Sequence, residues 1–157
     1  MIRNVHTRLI PDSADLVDRV VELWPSDRWP ALVLDRPLGA GADGGHGFVR
    51  YRCTGHEPGR RVEFTFAPSL GLVGAHAFEA VPGGLRHTLT GRPRGLMRLW
   101  WPLAVRWLHD ALVEDLLDNA ARAAGHPPAR PARWSAWVRL LRSAVRRATR
   151  GAARRPA

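Results

Sequence analysis

The sequence predicts an α+β domain in which a run of antiparallel strands is closed by one long helix near the C-terminus. Three observations predict it. Apolar residues between 31 and 91 recur at a period of two, broken by Pro-Gly and Gly-Gly turn sequences. In the two hairpins these turns imply, the large apolar side chains collect on one face. From Leu103 to Ala124 the period becomes that of a helix, with one apolar and one charged side.

Ile2–Ile10 alternates weakly and reads as a strand. Pro11-Asp12-Ser13 breaks it and supplies a helix cap. Leu16, Val17, Val20, Val21 and Trp24 follow at helical spacing until Pro25. A short turn is expected at Asp27–Trp29, a short strand at Ala31–Arg36 and a glycine-rich loop at Gly39–Gly47. Strands His46–Thr54 and Arg61–Ala67 flank Glu57-Pro58-Gly59-Arg60. Proline presets φ and glycine accepts positive φ, as a type II turn requires. Pairing 57 with 60 sets Tyr51 opposite Phe66, Cys53 opposite Phe64 and Gly55 opposite Val62. Strands Val73–Val81 and Leu85–Gly91 are expected to turn at Gly83-Gly84. Pairing 82 with 85 sets Ala80 opposite His87, Phe78 opposite Leu89 and His76 opposite Gly91. Pro102 suits the first turn of the long helix, and Gly125 its end. Arg106, Asp110, Glu114, Asp118 and Arg122 form a charged stripe expected to face solvent. A stiff Pro-rich linker at 126–132 leads to an amphipathic tail at 133–157.

The 157 residues and 17.4 kDa suit one domain, expected at 1–125, with a short extension. A single cysteine, Cys53, excludes an intramolecular disulfide and a multi-cysteine zinc site. No apolar run reaches the roughly 18 residues of a membrane span, and the first residues lack the apolar block of a secretion signal, so none is expected. A cytoplasmic protein, at most peripheral to a membrane, is the expectation. The net charge of +10 is a property of the tail. Residues 127–157 hold nine of the 24 basic residues, all arginine, and no acid, which leaves residues 1–126 at +1.

Glu57-Pro58-Gly59-Arg60-Arg61-Val62-Glu63-Phe64 resembles the strand–turn–strand of the SRPBCC superfamily, the START and polyketide-cyclase-like proteins. Gly74–Pro82 with Leu85–Leu89 is similar to that family's next hairpin, and Trp107–Asp118 to its final helix. The resemblance covers about residues 1–125. It implies a helix-grip fold: a curved antiparallel sheet wrapped around the C-terminal helix, with an apolar cavity between them. It also implies a hydrophobic ligand such as a lipid or a polyketide, and in some members cyclase or hydrolase chemistry. A fold so widely shared does not fix a function.

The concave face should carry Val49, Tyr51, Cys53, Val62, Phe64, Phe66, Phe78 and Leu89, with Leu108 and Leu112 facing it from the helix. Such a face is either plain core or the lining of a pocket. Tyr51, His76 and His87 are its polar candidates, for hydrogen bonds to a ligand or, in an enzyme, for proton transfer. In the register above the two histidines stand roughly 13 Å apart along the sheet, too far to share a metal ion. His109 and Asp110 are neighbours on the helix and should not face each other. Neither a metal nor any other cofactor is expected. Cys53 between aromatic rings should be inert, and no serine sits in a Gly-x-Ser-x-Gly elbow. The loop 39–45 lacks the lysine of a P-loop.

In the tail, Trp134, Trp137, Val138, Leu141, Val145 and Ala148 share one helical face; Arg139, Arg142, Arg146 and Arg150 share another. Tryptophan with arginine on an amphipathic helix suits an anionic membrane surface or a partner protein. A mostly disordered tail is the plain alternative, and nucleic acid the weakest. Three functions remain open: binding of a small hydrophobic ligand, a cyclase or dehydratase using a cavity histidine as general acid/base, and an interaction module with a filled core.

Overall fold

The computed structural model describes residues 1–11 and 13–153, with side chains for all of these except 149–153. Asp12 of the expected cap and the side chain of Arg150 lie outside the described residues. The strands are β1 (Ile2–Leu9), β2 (Leu32–Leu34), β3 (Asp43–His46), β4 (Val49–Glu57), β5 (Arg61–Phe66), β6 (Leu72–Val81) and β7 (Gly84–Pro93). They form one seven-stranded sheet in the order β1-β7-β6-β5-β4-β3-β2, antiparallel throughout. The helices are α1 (Ala14–Asp18), α2 (Met97–Trp100), α3 (Arg106–Ala123) and α4 (Ala136–Ala153). Among the described residues no helix is long and apolar enough to cross a membrane.

Two hairpins fix the sheet, and in each the structure corrects the expected register. In β4–β5, Tyr51 pairs with Phe66 and Cys53 with Phe64. One extra residue between Cys53 and Gly55 then shifts the ladder, so His56, not Gly55, meets Val62. In β6–β7 the turn is Pro82-Gly83, with Gly83 at φ +70° and Val81 paired to Gly84. Proline at the first central position and glycine at the second is the same device as Pro58-Gly59. The ladder therefore lies two residues from the Gly83-Gly84 register. Phe78 pairs with His87, and His76 with Leu89. A slip of two keeps every side chain on its face but brings the two histidines together.

Gly74 pairs with Gly91 across β6 and β7, and a Cβ at Gly74 would stand 2.1 Å from the Thr90 carbonyl oxygen. Gly74→Ala is expected to destabilise the fold by about 1–3 kcal/mol through overpacking. Thermal denaturation measures it.

The helical expectations change in detail. α1 stops at Asp18, and turns carry Val20 and Trp24 into the core. Ser13 does not cap it; its hydroxyl donates to the Gly84 carbonyl at 2.7 Å. The glycine-rich segment is not all loop, because Asp43–His46 forms β3 against β4. The long helix begins at Met97 rather than Leu103. A wide π turn, Trp101–Val105, joins α2 to α3 and contains Pro102. Such a turn carries an extra residue and relaxes the i→i−4 ladder that proline would break.

The middle of the charged stripe of α3, Asp110, Glu114 and Asp118, turns inward, while Arg106 and Arg122 at its ends are exposed as expected. It packs on β1, whose inward face is Asn4, His6 and Arg8 while Arg3, Val5 and Thr7 point out. Arg8 reaches Glu114 at 2.7 Å and buried Asp118 at 2.5 Å. α4 packs on the body. Val138 is buried, and Trp134 Nε1 donates to buried Asp115 at 2.9 Å. Arg142, expected on the basic face, lies 4.6 Å from the Trp29 ring centroid and donates to the Arg28 carbonyl.

Candidate ligand cavity

Between the concave face of the sheet and the helical segment 97–116 lies a cavity of about 130 Å³. From the sheet, Val49, Tyr51, Phe66, His76, Phe78, His87 and Leu89 line it; Leu108 and Leu112 line it from α3. All of these were candidates in the sequence. Phe64 is not at the wall. It stacks behind His76 at 5.3 Å and meets Tyr51 edge-on at 5.1 Å. Sequence reasoning missed the aromatic lining residues Trp24, Trp29, His46, Trp101 and His109, as well as aliphatic ones such as Leu72, Met97 and Val105. His46 fell where an expected loop and an expected strand overlap, Trp24 was read as part of a helix face, and Trp29 as part of a short turn, so none of these three was assigned to the sheet's concave side. Phe48, 65% exposed, stands where the cavity meets solvent.

The lining residues are mostly apolar, and three of the polar ones each hold an atom without a partner. Tyr51 Oη, His76 Nε2 and His87 Nδ1 are buried without a hydrogen-bond partner. His76 Nδ1 and His87 Nε2 are 3.2 Å apart. The ring of His109 lies 5.1 Å from that of His87, and its Nδ1 is 3.4 Å from Asp110 Oδ1. The expectation that these neighbours on the helix would not meet is thus corrected. Asp110 Oδ1 also accepts from Asn4 Nδ2 at 2.9 Å and lies 3.2 Å from His6 Nε2. His6 Nδ1 meets Glu114 at 2.7 Å.

No family model and no curated protein matches the chain in sequence. Solved structures do match its shape. A protein from Thermobifida fusca matches with a TM-score of 0.55 at 17% identity, covering 81% of this chain and 96% of that one. Ara h 8.0201 matches with a TM-score of 0.53 at 12% identity, covering 77% and 97%. The fold is a helix grip. CalU16 from Micromonospora echinospora matches with a TM-score of 0.51 at 15% identity over 96% of both chains. Identities this low show the helix grip and nothing finer.

Charge divides this helix grip into a dry side and a wet side. On the dry side burial holds histidines neutral: His46 is pushed down to about 4 and His76 to about 3, and His87 and His109 are also lowered. On the wet side His6 is pushed up to about 9 by hydrogen bonds to Asp110 and Glu114. Burial raises the thiol of Cys53, which sits 1% exposed within β4, so it is not activated as a thiolate.

Neutrality decides what the His76–His87 pair presents. One ring donates its N–H to the other across the 3.2 Å contact. Whichever does, one of the two outer nitrogens is left a donor and the other an acceptor. The Tyr51 hydroxyl adds a third polar atom nearby, its ring 5.0 Å from that of His76.

Proposed function

We propose that the chain is an SRPBCC-type carrier that binds a small hydrophobic molecule in this cavity, with its basic tail turned outward toward a membrane or a partner. One observation carries the reading: buried Tyr51, His76 and His87 hold unpartnered polar atoms at an otherwise apolar cavity wall. An unpaired buried polar atom costs about 1–3 kcal/mol, and a ligand polar group repays it. About 130 Å³ is the space of one aromatic ring. Neutral donors and acceptors, rather than charges, suit a phenol or an enol over a carboxylate. A larger lipid or polyketide would seat one ring or chain end there and leave past Phe48.

A cyclase or dehydratase reading draws on the His76–His87 hydrogen bond. It is the weaker one, because a general base works best with a pKa near the working pH and His76 is held at about 3. A filled-core interaction module accords poorly with the cavity.

The test uses p-cresol as a ring-sized probe, with native mass spectrometry of the purified protein for co-purifying molecules. Saturable binding of p-cresol is expected, weakened about tenfold in Tyr51→Phe by loss of one hydrogen bond and abolished in Leu108→Phe, which fills the wall. Absence of both a co-purifying molecule and p-cresol binding would overturn the carrier reading.

A further inference from the structure

The helix that walls the cavity on one side carries an exposed apolar stripe on the other. Leu96 is 73% exposed, Leu99 63%, Trp100 56%, Leu103 59% and Trp107 44%. Their spacing is that of one helical face. Exposed Trp137 and Leu140 of α4 extend the stripe, because Trp137 Nε1 donates to the Leu103 carbonyl at 3.0 Å. Trp107 Nε1 donates to the Pro102 carbonyl at 2.9 Å, so its polar edge is satisfied while its ring faces out. Contiguous exposed apolar surface of this kind marks an interaction site.

The surroundings say what covers it. Arg94, Arg98 and Arg106 flank the stripe in sequence, and Arg133 and Arg139 flank it on the tail; all are exposed. No Asp or Glu occurs between residues 80 and 109, or after 118. A second copy of the chain would set this basic rim against itself, with Asp110, 3.5 Å from Arg106, the one acid paired to it among the described residues. Leucine and tryptophan at the centre with arginine at the edge is the composition that lies in a lipid interface over anionic headgroups.

We infer that the outer face of residues 96–107, together with Trp137 and Leu140, docks on an anionic bilayer surface. This names the partner of the tail proposed above and rests on that part of the reading, not on occupancy of the cavity. Docking places the bilayer against the helix whose inner face, through Met97, Trp101 and Val105, lines the cavity.

Vesicle flotation of the full chain tests it, with phosphatidylcholine alone and phosphatidylcholine mixed with phosphatidylglycerol. The protein is expected to float with the mixed vesicles, to lose this at high salt, and to show blue-shifted tryptophan emission when bound. The exposed double variant L99D/L103D should bind the mixed vesicles at least about tenfold more weakly while keeping its melting temperature and its p-cresol binding. Failure to float, equal flotation on phosphatidylcholine alone, or flotation unchanged in the variant each overturns the inference. So does vesicle-free self-association that the variant abolishes, which would assign the face to a second copy. Loss of p-cresol binding in Leu108→Phe with flotation intact separates the cavity reading from this one.

Discussion

Acidification from pH 7 to about 4.5 is expected to unfold the protein. His46, His76, His87 and His109 are held neutral in the folded state by burial, His46 down to about 4 and His76 to about 3. The unfolded chain protonates them near 6.5. Below that pH the unfolded state binds more protons, so stability falls as pH falls, until the folded groups titrate as well. Each histidine contributes about 1.4 kcal/mol per pH unit. Over two pH units His46 and His76 together remove about 5 kcal/mol, the low end of the ~5–15 kcal/mol that holds a domain folded, and His87 and His109 act in the same direction. His6 acts in the other direction. Its folded pKa is raised to about 9, so its stabilisation is complete below 6.5 and is lost as pH rises through 9. Urea melts between pH 4.5 and 9.5 should show a steep acid limb, shallower in His76→Gln, and a smaller alkaline decline that is absent in His6→Gln. Equal midpoints at pH 7 and pH 5 would contradict the dry-cavity picture.

Asp115→Ala is expected to cost about 2–4 kcal/mol, because it leaves two indole N–H donors at a buried site without their acceptor and a half-exposed arginine without its partner. Asp115 is 3% exposed and accepts from Arg28 at 2.5 Å, Trp29 Nε1 at 2.7 Å and Trp134 Nε1 at 2.9 Å. The alanine leaves an arginine and two indole N–H groups without their acceptor. It also removes one of the ties between α3 and the segment leading into α4, leaving the Ala132 N–H bond to Asp118, so protease cleavage between residues 126 and 135 should accelerate. On a chain of this size the loss corresponds to a fall in Tm on the order of 10 °C. A melting temperature within a degree or two of the parent would show that the tail is held by other contacts.

The faces were legible in the sequence, and the distances were not. Period-two alternation put Tyr51, Phe66, Phe78 and Leu89 on one side of the sheet, and a register error of two residues leaves such an assignment intact. The same error separated His76 from His87 by an expected 13 Å or so, where the structure has a hydrogen bond of 3.2 Å. Choosing Pro82-Gly83 over Gly83-Gly84 would have removed it. The charged stripe of α3 misled for a different reason. A polar helical face normally meets water, but here the inward face of β1 is itself polar, and Asn4, His6 and Arg8 meet the stripe with matched hydrogen bonds. Tail amphipathicity was visible, yet part of that face is spent on the chain's own body through Trp134 and Val138.

The wide turn at Trp101–Val105 sets the rotational phase of everything before it. One residue turns an α-helix by about 100°. Excising a single position there would re-phase α2, swinging exposed Trp100 toward the hollow and drawing Trp101 out of it. Insertions and deletions at this one spot are therefore a route by which a lineage could trade an outward greasy ridge for a filled interior without altering a single side chain.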